Sequence, residues 1–466
     1  MTATEREKTT EGSTPYSFRR LLSEYRTPIL LILLLAFAWR LALVIGFPHA
    51  AFDEIRYTAP AVNMLAGRGF SADVVEPYLP SEHTVPLYPI FIAAIYAVFG
   101  QNNLAVRIAQ SAIDLITCLL VALVAFNLAP PWLRKPAAIA ALIIYAFLSW
   151  FTVFWMRYIL TETLALFLTM LSVALSIWAS RGGRRRWLIV GATCGLAILA
   201  RADSVLLVFA FLLFLAFQIA RRRSSASAFA LLLFCTGVSL ALAPWTLRNY
   251  LALGKFQPLA NAYGKAHGGY VPTGYLLWIR TWMTDETNYH AGDLVFHPGN
   301  RDFDPRLLPD KVFDSAGERE EVSQLIAKYD QAGEMTPEMS EKFRALANER
   351  IKRAPLRFYL WLPLKRAASM WLTGFATTDR FHMFLRILFV LPILFGGVLG
   401  FVVWARSWPL VHLIALIIFT RTLLFAFIGA EARYIVEAYP LMIAACGITG
   451  AALWRYLNQA RKRQPR

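Results

Sequence analysis

Long apolar runs separated by short loops rich in Lys and Arg constrain this chain more than any other feature. A helix rising 1.5 Å per residue needs about 20 apolar residues to cross a bilayer core, and several stretches reach that length. With 57% of its 466 residues hydrophobic and a positive mean hydropathy, the chain reads as an all-α polytopic membrane protein. The formal charge of +17 sits largely in the loops: Arg134 and Lys135, RGGRRR at 181–186, RRR at 221–223 and the tail 455–466. That is the positive-inside pattern. No nucleic-acid motif is present, and the aromatic residues lie in apolar runs rather than between basic ones, so nucleic acid is excluded as a partner. Cys118, Cys194, Cys235 and Cys446 all fall in apolar runs, which leaves no disulfide framework and no metal-type spacing. The first apolar run follows the polar residues 1–27 without a small-residue cleavage site, so it is expected to be an uncleaved anchor.

Taken in order, 1–27 is a cytoplasmic tail and 28–47 the first span, leading outward. Span 104–128 returns, 136–156 goes out and 159–179 comes back. The pieces 187–200 and 204–220 form a hairpin with Arg201-Ala202-Asp203 at its outer tip, which keeps both basic runs inside. Spans 229–244, 381–404, 409–428 and 434–454 complete about ten helices with both termini inside. The division that follows is an N-terminal membrane module 28–244 with an outer loop 48–103, an external segment 245–354, a C-terminal membrane part 355–454 and a basic tail 455–466. In the outer loop Glu54 to Leu65 reads as a short helix with Asp53 as its N-cap, and 86–99 is too short to cross. The external segment carries amphipathic helices at 318–329 and 337–352, the second capped by Thr336 with Pro337 at its first position. Residues 355–375 mix Trp and Tyr with Arg and Lys, as a helix lying in the interface does. There is no internal repeat, which speaks against a transporter.

The chemistry should lie at the outer ends of the spans. A charge at membrane depth costs about 2.5–3.5 kcal/mol on insertion scales, so it needs a partner or a task. Asp53, Glu54, Arg157, Glu162, Arg201, Asp203, Arg248, Glu431 and Arg433 all fall on that side. Guanidinium groups can hold a phosphate bidentately, and a carboxylate opposite can take a hydroxyl proton. Transfer of a sugar from a lipid phosphate uses those parts through an oxocarbenium-like transition state. The bland readings are a helix cap for Asp53, a buried pair for Glu162 with Arg157, a hairpin tip for Arg201 with Asp203, and interfacial anchors for Arg433 and Tyr434. His83 and His267 are isolated, and Asp114 reads as a structural polar contact deep in its span.

FDEIRY and AVNMLAGRGF after the first span, VPLYPIFIAAIYAVFG, RYILTETLALFL, GLAILARADSVLL, APWTLRNYLALGKFQPLANAYG and EARYIVEAYPLMIAA together resemble the GT-C-type membrane glycosyltransferases. The likeness is to the bacterial branch that holds protein O-mannosyltransferases and lipid A aminoarabinose transferases. The resemblance implies a GT-C-like bundle of about ten helices with interfacial outer-loop helices and a small external segment. It implies Asp53 as base, with Glu54 and Glu162 as further acids of the site. It implies Arg201, Arg248 and Arg433 near the lipid phosphate, with Glu82 and His83 as accessory candidates; the outer-rim residues read from the sequence add Arg157 and Tyr434 to the phosphate site and His267 to the accessory candidates. The donor implied is a polyprenyl-phosphate sugar and the acceptor a glycan, lipid or protein, at the outer face of a bacterial cytoplasmic membrane. No metal or cofactor is expected. The rival readings are a transporter, a flippase and a polymer ligase.

Overall fold

The computed structural model describes residues 17–49, 52–222, 225–260, 271–284, 312–333, 335–372, 380–429 and 431–463. Among these the regular structure is entirely helical. We label the helices used below α1 (Arg26–Gly46), α2 (Ile55–Leu65), α3 (Leu87–Phe99), α4 (Asn103–Leu128), α5 (Arg134–Ile143), α6 (Glu162–Ser180), α7 (Arg186–Ala200) and α8 (Val205–Arg222). Then come α9 (Ser225–Leu253), α10 (Thr273–Arg280), α11 (Ala316–Ala332), α12 (Pro337–Arg353), α13 (Leu362–Leu372), α14 (Arg380–Leu399), α15 (Trp408–Ile428) and α16 (Tyr439–Arg463). Among the described residues, eight helices are long and apolar enough to cross a membrane, and shorter apolar helices cover 186–200 and 388–404. Each of the ten spans read from the sequence therefore meets a helix, and the protein is a multi-pass membrane protein.

The alternation of these helices decides where the chemistry can be. The ends of α1, α7 and α15 and the starts of α6, α8 and α16 lie at one end of the bundle, because charged residues from all six meet there. At the other end Lys135 pairs with Glu24 at 3.1 Å, and the backbone N–H of Arg406 donates to the Leu128 carbonyl. Arg455 donates to the Trp132 carbonyl. These links gather the basic loops on one side.

Two features of the interior hold the bundle in register. Arg40 of α1 is fully buried and lies 2.7 Å from Asp114 of α4. Its Nη1 also donates to the carbonyl of Ala146, which lies in a π-helical stretch following α5, and Tyr145 donates to the other Asp114 oxygen at 2.7 Å. Asp114 is thus a structural contact, as expected. The second feature is the seam between α7 and α9, built on small residues. A Cβ on Gly191 would come 2.0 Å from the Phe234 carbonyl oxygen, and one on Gly237 2.1 Å from that of Leu188. Without a hydrophobic drive between helices in lipid, such close backbone approach supplies the packing. Gly191→Ala is expected to cost about 1–3 kcal/mol through overpacking, read as an earlier thermal transition in detergent. Gly183→Ala, where a Cβ meets nothing within 4 Å, should leave that transition in place.

One boundary and one helix cap differ from the sequence reading. Helix α9 runs unbroken through Pro244 to Leu253, so residues 245–253 extend a membrane helix rather than open the external segment. Over its 29 residues it rises beyond the thickness of a bilayer core, which lifts Arg248 above the lipid. Asp53 does not cap α2: it sits in a 3₁₀ turn, Phe52–Glu54, and the helix start has no side-chain cap. Its carboxylate faces Arg433 instead. Trp278 and Trp282 are buried in a separate small core with Tyr275 and Phe343. Thr336 does cap α12, accepting from the Met339 N–H at 3.3 Å.

This external core is tied to the membrane part by Arg366 of α13, which is 1% exposed. Its Nε donates to the Met283 carbonyl at 2.8 Å and its Nη1 to the Ala426 carbonyl at 3.1 Å. The Arg280 carbonyl also accepts from it. Burial and the neighbouring Arg280 lower its guanidinium to about 10, so it stays charged at neutral pH.

Candidate active site

At the end of the bundle where α1, α7 and α15 terminate, charges from six segments meet in two layers. In the deeper layer Arg201 Nη1 lies 2.7 Å from Glu162, the first residue of α6. Arg201 Nε donates to both Asp203 oxygens at 3.0 Å, and Glu437 lies 3.6 Å away. Arg421 of α15 closes this layer, with its Nη2 donating to Glu437 at 2.8 Å and to Asp203 at 3.0 Å. It also donates to the Tyr434 carbonyl. Burial works against the Arg201 charge, but Asp203, Glu162 and Glu437 more than offset it and raise its pKa well above the ordinary value. One oxygen of this layer is unspent: Glu162 Oε2 is buried with no hydrogen-bond partner.

The shallower layer faces outward. Arg433 Nη1 and Nη2 both point at Asp53 Oδ2, each at 3.4 Å, while its Nε lies 2.6 Å from Glu431. Arg56, largely exposed, approaches the other Asp53 oxygen at 3.5 Å. The Asp53 and Arg433 side chains are 25% and 22% exposed, against 3% for Glu162 and 2% for Glu437. Tyr434 lies between the layers, its ring 6.0 Å from the Arg201 guanidinium and 5.6 Å from that of Arg433. Burial, then the charges of Glu162 and Asp53, push the Tyr57 phenol up. Burial also pushes the Glu431 carboxyl up, against the pull of Arg433.

The cluster thus unites Asp53, Glu162, Arg201, Asp203, Glu431, Arg433 and Tyr434. The other residues singled out from the sequence lie elsewhere. Glu54 is 8% exposed and accepts the Ile159 N–H at 2.9 Å, with Arg107 3.6 Å away. Arg157 stacks on Phe154 at 4.2 Å, and its carbonyl accepts from Arg107. Arg248 donates to the carbonyls of Ser81 and Phe70, which holds the outer loop. Glu82 pairs with Lys255 at 3.4 Å, and His83 is half-buried in the same loop. His267 lies outside the described residues. Arg421 and Glu437 were not singled out from the sequence. Both were legible as lone charges, one inside IIFTRTLLFAF and one in ARYIVEAYP, where a charge at membrane depth needs a partner. Among the described residues no group of three or more His, Cys, Asp or Glu could hold a metal ion.

The multi-pass helical bundle with its acid and arginine cluster at one rim has likenesses among known membrane proteins, and its fold is that of a solved membrane glycosyltransferase. The sequence profile of the dolichyl-phosphate-mannose-protein mannosyltransferases matches residues 82–247. The oligosaccharyltransferase of Archaeoglobus fulgidus, solved with a tethered acceptor peptide, superposes with a TM-score of 0.52 at 13% identity, over 95% of this chain and 51% of its own. This chain therefore spans about half the length of that enzyme. ArnT from Cupriavidus metallidurans, solved with undecaprenyl phosphate, aligns over 94% of this chain and 79% of its own at 14% identity, with a TM-score of 0.35. No curated protein sequence matches the chain.

Proposed function

We propose that the protein moves a sugar from a polyprenyl-phosphate donor to an acceptor hydroxyl or phosphate at the outer face of a bacterial cytoplasmic membrane. The observation that carries this reading is the half-open Asp53–Arg433 pair above a buried ionic layer. A partly exposed carboxylate beside a partly exposed guanidinium fork supports both halves of the reaction. Arg433 takes phosphate oxygens as the bond between the anomeric carbon and the phosphate oxygen breaks, and the electron pair leaves with the phosphate. The acceptor oxygen bonds to the anomeric carbon and its proton passes to Asp53. Arg201, its charge spent on three acids, holds Glu162 with one oxygen left to accept from a sugar hydroxyl. Arg248 keeps the outer loop in place over the site.

The test is turnover by the purified protein in lipid nanodiscs. It would be offered a panel of polyprenyl monophosphates carrying pentoses, hexoses or amino sugars, with release of the lipid phosphate as the readout. At least one donor is expected to be consumed. If none is, and proteoliposomes instead move a labelled glycolipid or solute across the bilayer, the protein is a carrier.

A further inference from the structure

Arg433 is held unevenly by its two acids. Its Nε is 2.6 Å from Glu431, whose side chain is 11% exposed, a close ion pair without hydrogen-bond alignment, whereas both terminal nitrogens lie 3.4 Å from one and the same Asp53 oxygen. A guanidinium fork is matched to two oxygens of one anion at about 2.7–2.9 Å. Presented end-on to a single oxygen at 3.4 Å, it is under-used. The loose contact is also the one that faces outward.

We infer that Arg433 exchanges partners during the reaction: the donor phosphate displaces Asp53 from the terminal nitrogens while Glu431 keeps the Arg433 stem anchored. This rests on the donor reading above and adds an order to it. Before the lipid phosphate arrives, Asp53 is occupied by Arg433 and is a poor proton acceptor. Once the phosphate takes the fork, Asp53 Oδ2 is released beside it while the exposed Arg56 stays 3.5 Å from the other oxygen, at the moment an acceptor hydroxyl can use it. Glu431 is then a positioning residue, acting only through Arg433. Asp53 is a competitor of the substrate as well as the base.

Competition of this kind has a sign that a simple catalytic role lacks. Equilibrium binding of undecaprenyl phosphate, without sugar, is measured on the protein in nanodiscs. Asp53→Asn is expected to bind the lipid about two- to fivefold more tightly than the parent, the range for loss of one partly exposed ion pair. Asp53→Glu, which keeps the competing charge, should bind as the parent does. Glu431→Gln should weaken binding by releasing the stem. In an Arg433→Met background the gain from Asp53→Asn should vanish, because a double-mutant cycle isolates the pair. If the gain persists without Arg433, it reflects general charge repulsion and the exchange is wrong. The exchange is also wrong if Asp53→Asn binds no more tightly, and in that case parent protein that binds the lipid leaves the donor reading standing. Parent protein that neither binds the lipid phosphate nor consumes any donor sinks both.

Discussion

Asp53→Asn is expected to lower turnover of the lipid-linked donor by about 10²- to 10⁴-fold, the contribution of a positioned general base. The substitution is nearly isosteric and keeps an oxygen toward Arg433, so the thermal transition should stay close to that of the parent. Glu54→Gln provides the contrast within the same two residues. The Glu54 carboxylate takes the Ile159 N–H and neighbours Arg107, so its loss should appear as a lower transition temperature with turnover reduced only as the fold loosens. Turnover per folded molecule, measured at saturating donor, separates the two. Full activity in Asp53→Asn would remove this carboxylate from the chemistry, whatever the protein transfers.

Arg201→Met should be the most destabilising single change at the rim, costing about 3–5 kcal/mol. Replacing a buried guanidinium by an apolar side chain strands its carboxylate partners without a counter-charge. Three acids, Glu162, Asp203 and Glu437, converge on it, and Arg421 reaches only the last two. Glu162 is therefore the most exposed to the loss, and adding Glu162→Gln to Arg201→Met should recover part of the stability. Non-additivity between contacting residues is the signature of such a pair. If Arg201→Met unfolds at the parent's temperature, the ionic layer is not what holds the ends of α6 and α7 together.

The membrane architecture was legible because each of its determinants is local. Most of the spans follow from run length, and their alternation from basic loops such as 181–186. The hairpin at Arg201 follows from the need to keep two basic runs on one side. The site was legible only as a rim. Asp53, Glu54 and Arg248 all carry charge at the outer side, yet one points into the cluster, one into an interior backbone N–H and one to loop carbonyls. The direction of a side chain depends on the turn its backbone makes, and a 3₁₀ turn at Phe52–Glu54 leaves no mark in composition. Pro244 misled for a related reason. It reads as a helix end, yet α9 continues through it, as membrane helices tolerate. Arg421 shows the opposite case, a charge inside the apolar run IIFTRTLLFAF whose need for a buried partner was plain from the sequence.

Arg366 reaches, with one guanidinium, two carbonyls at the end of the external helix α10 and one near the end of α15. The negative ends of two helix dipoles share that single cation, so the two helix tips cannot part without stranding it. Arg421 lies on α15 within two turns of the Ala426 carbonyl that Arg366 grips. The external core and the deeper ionic layer are thus anchored on one and the same helix, a few residues apart.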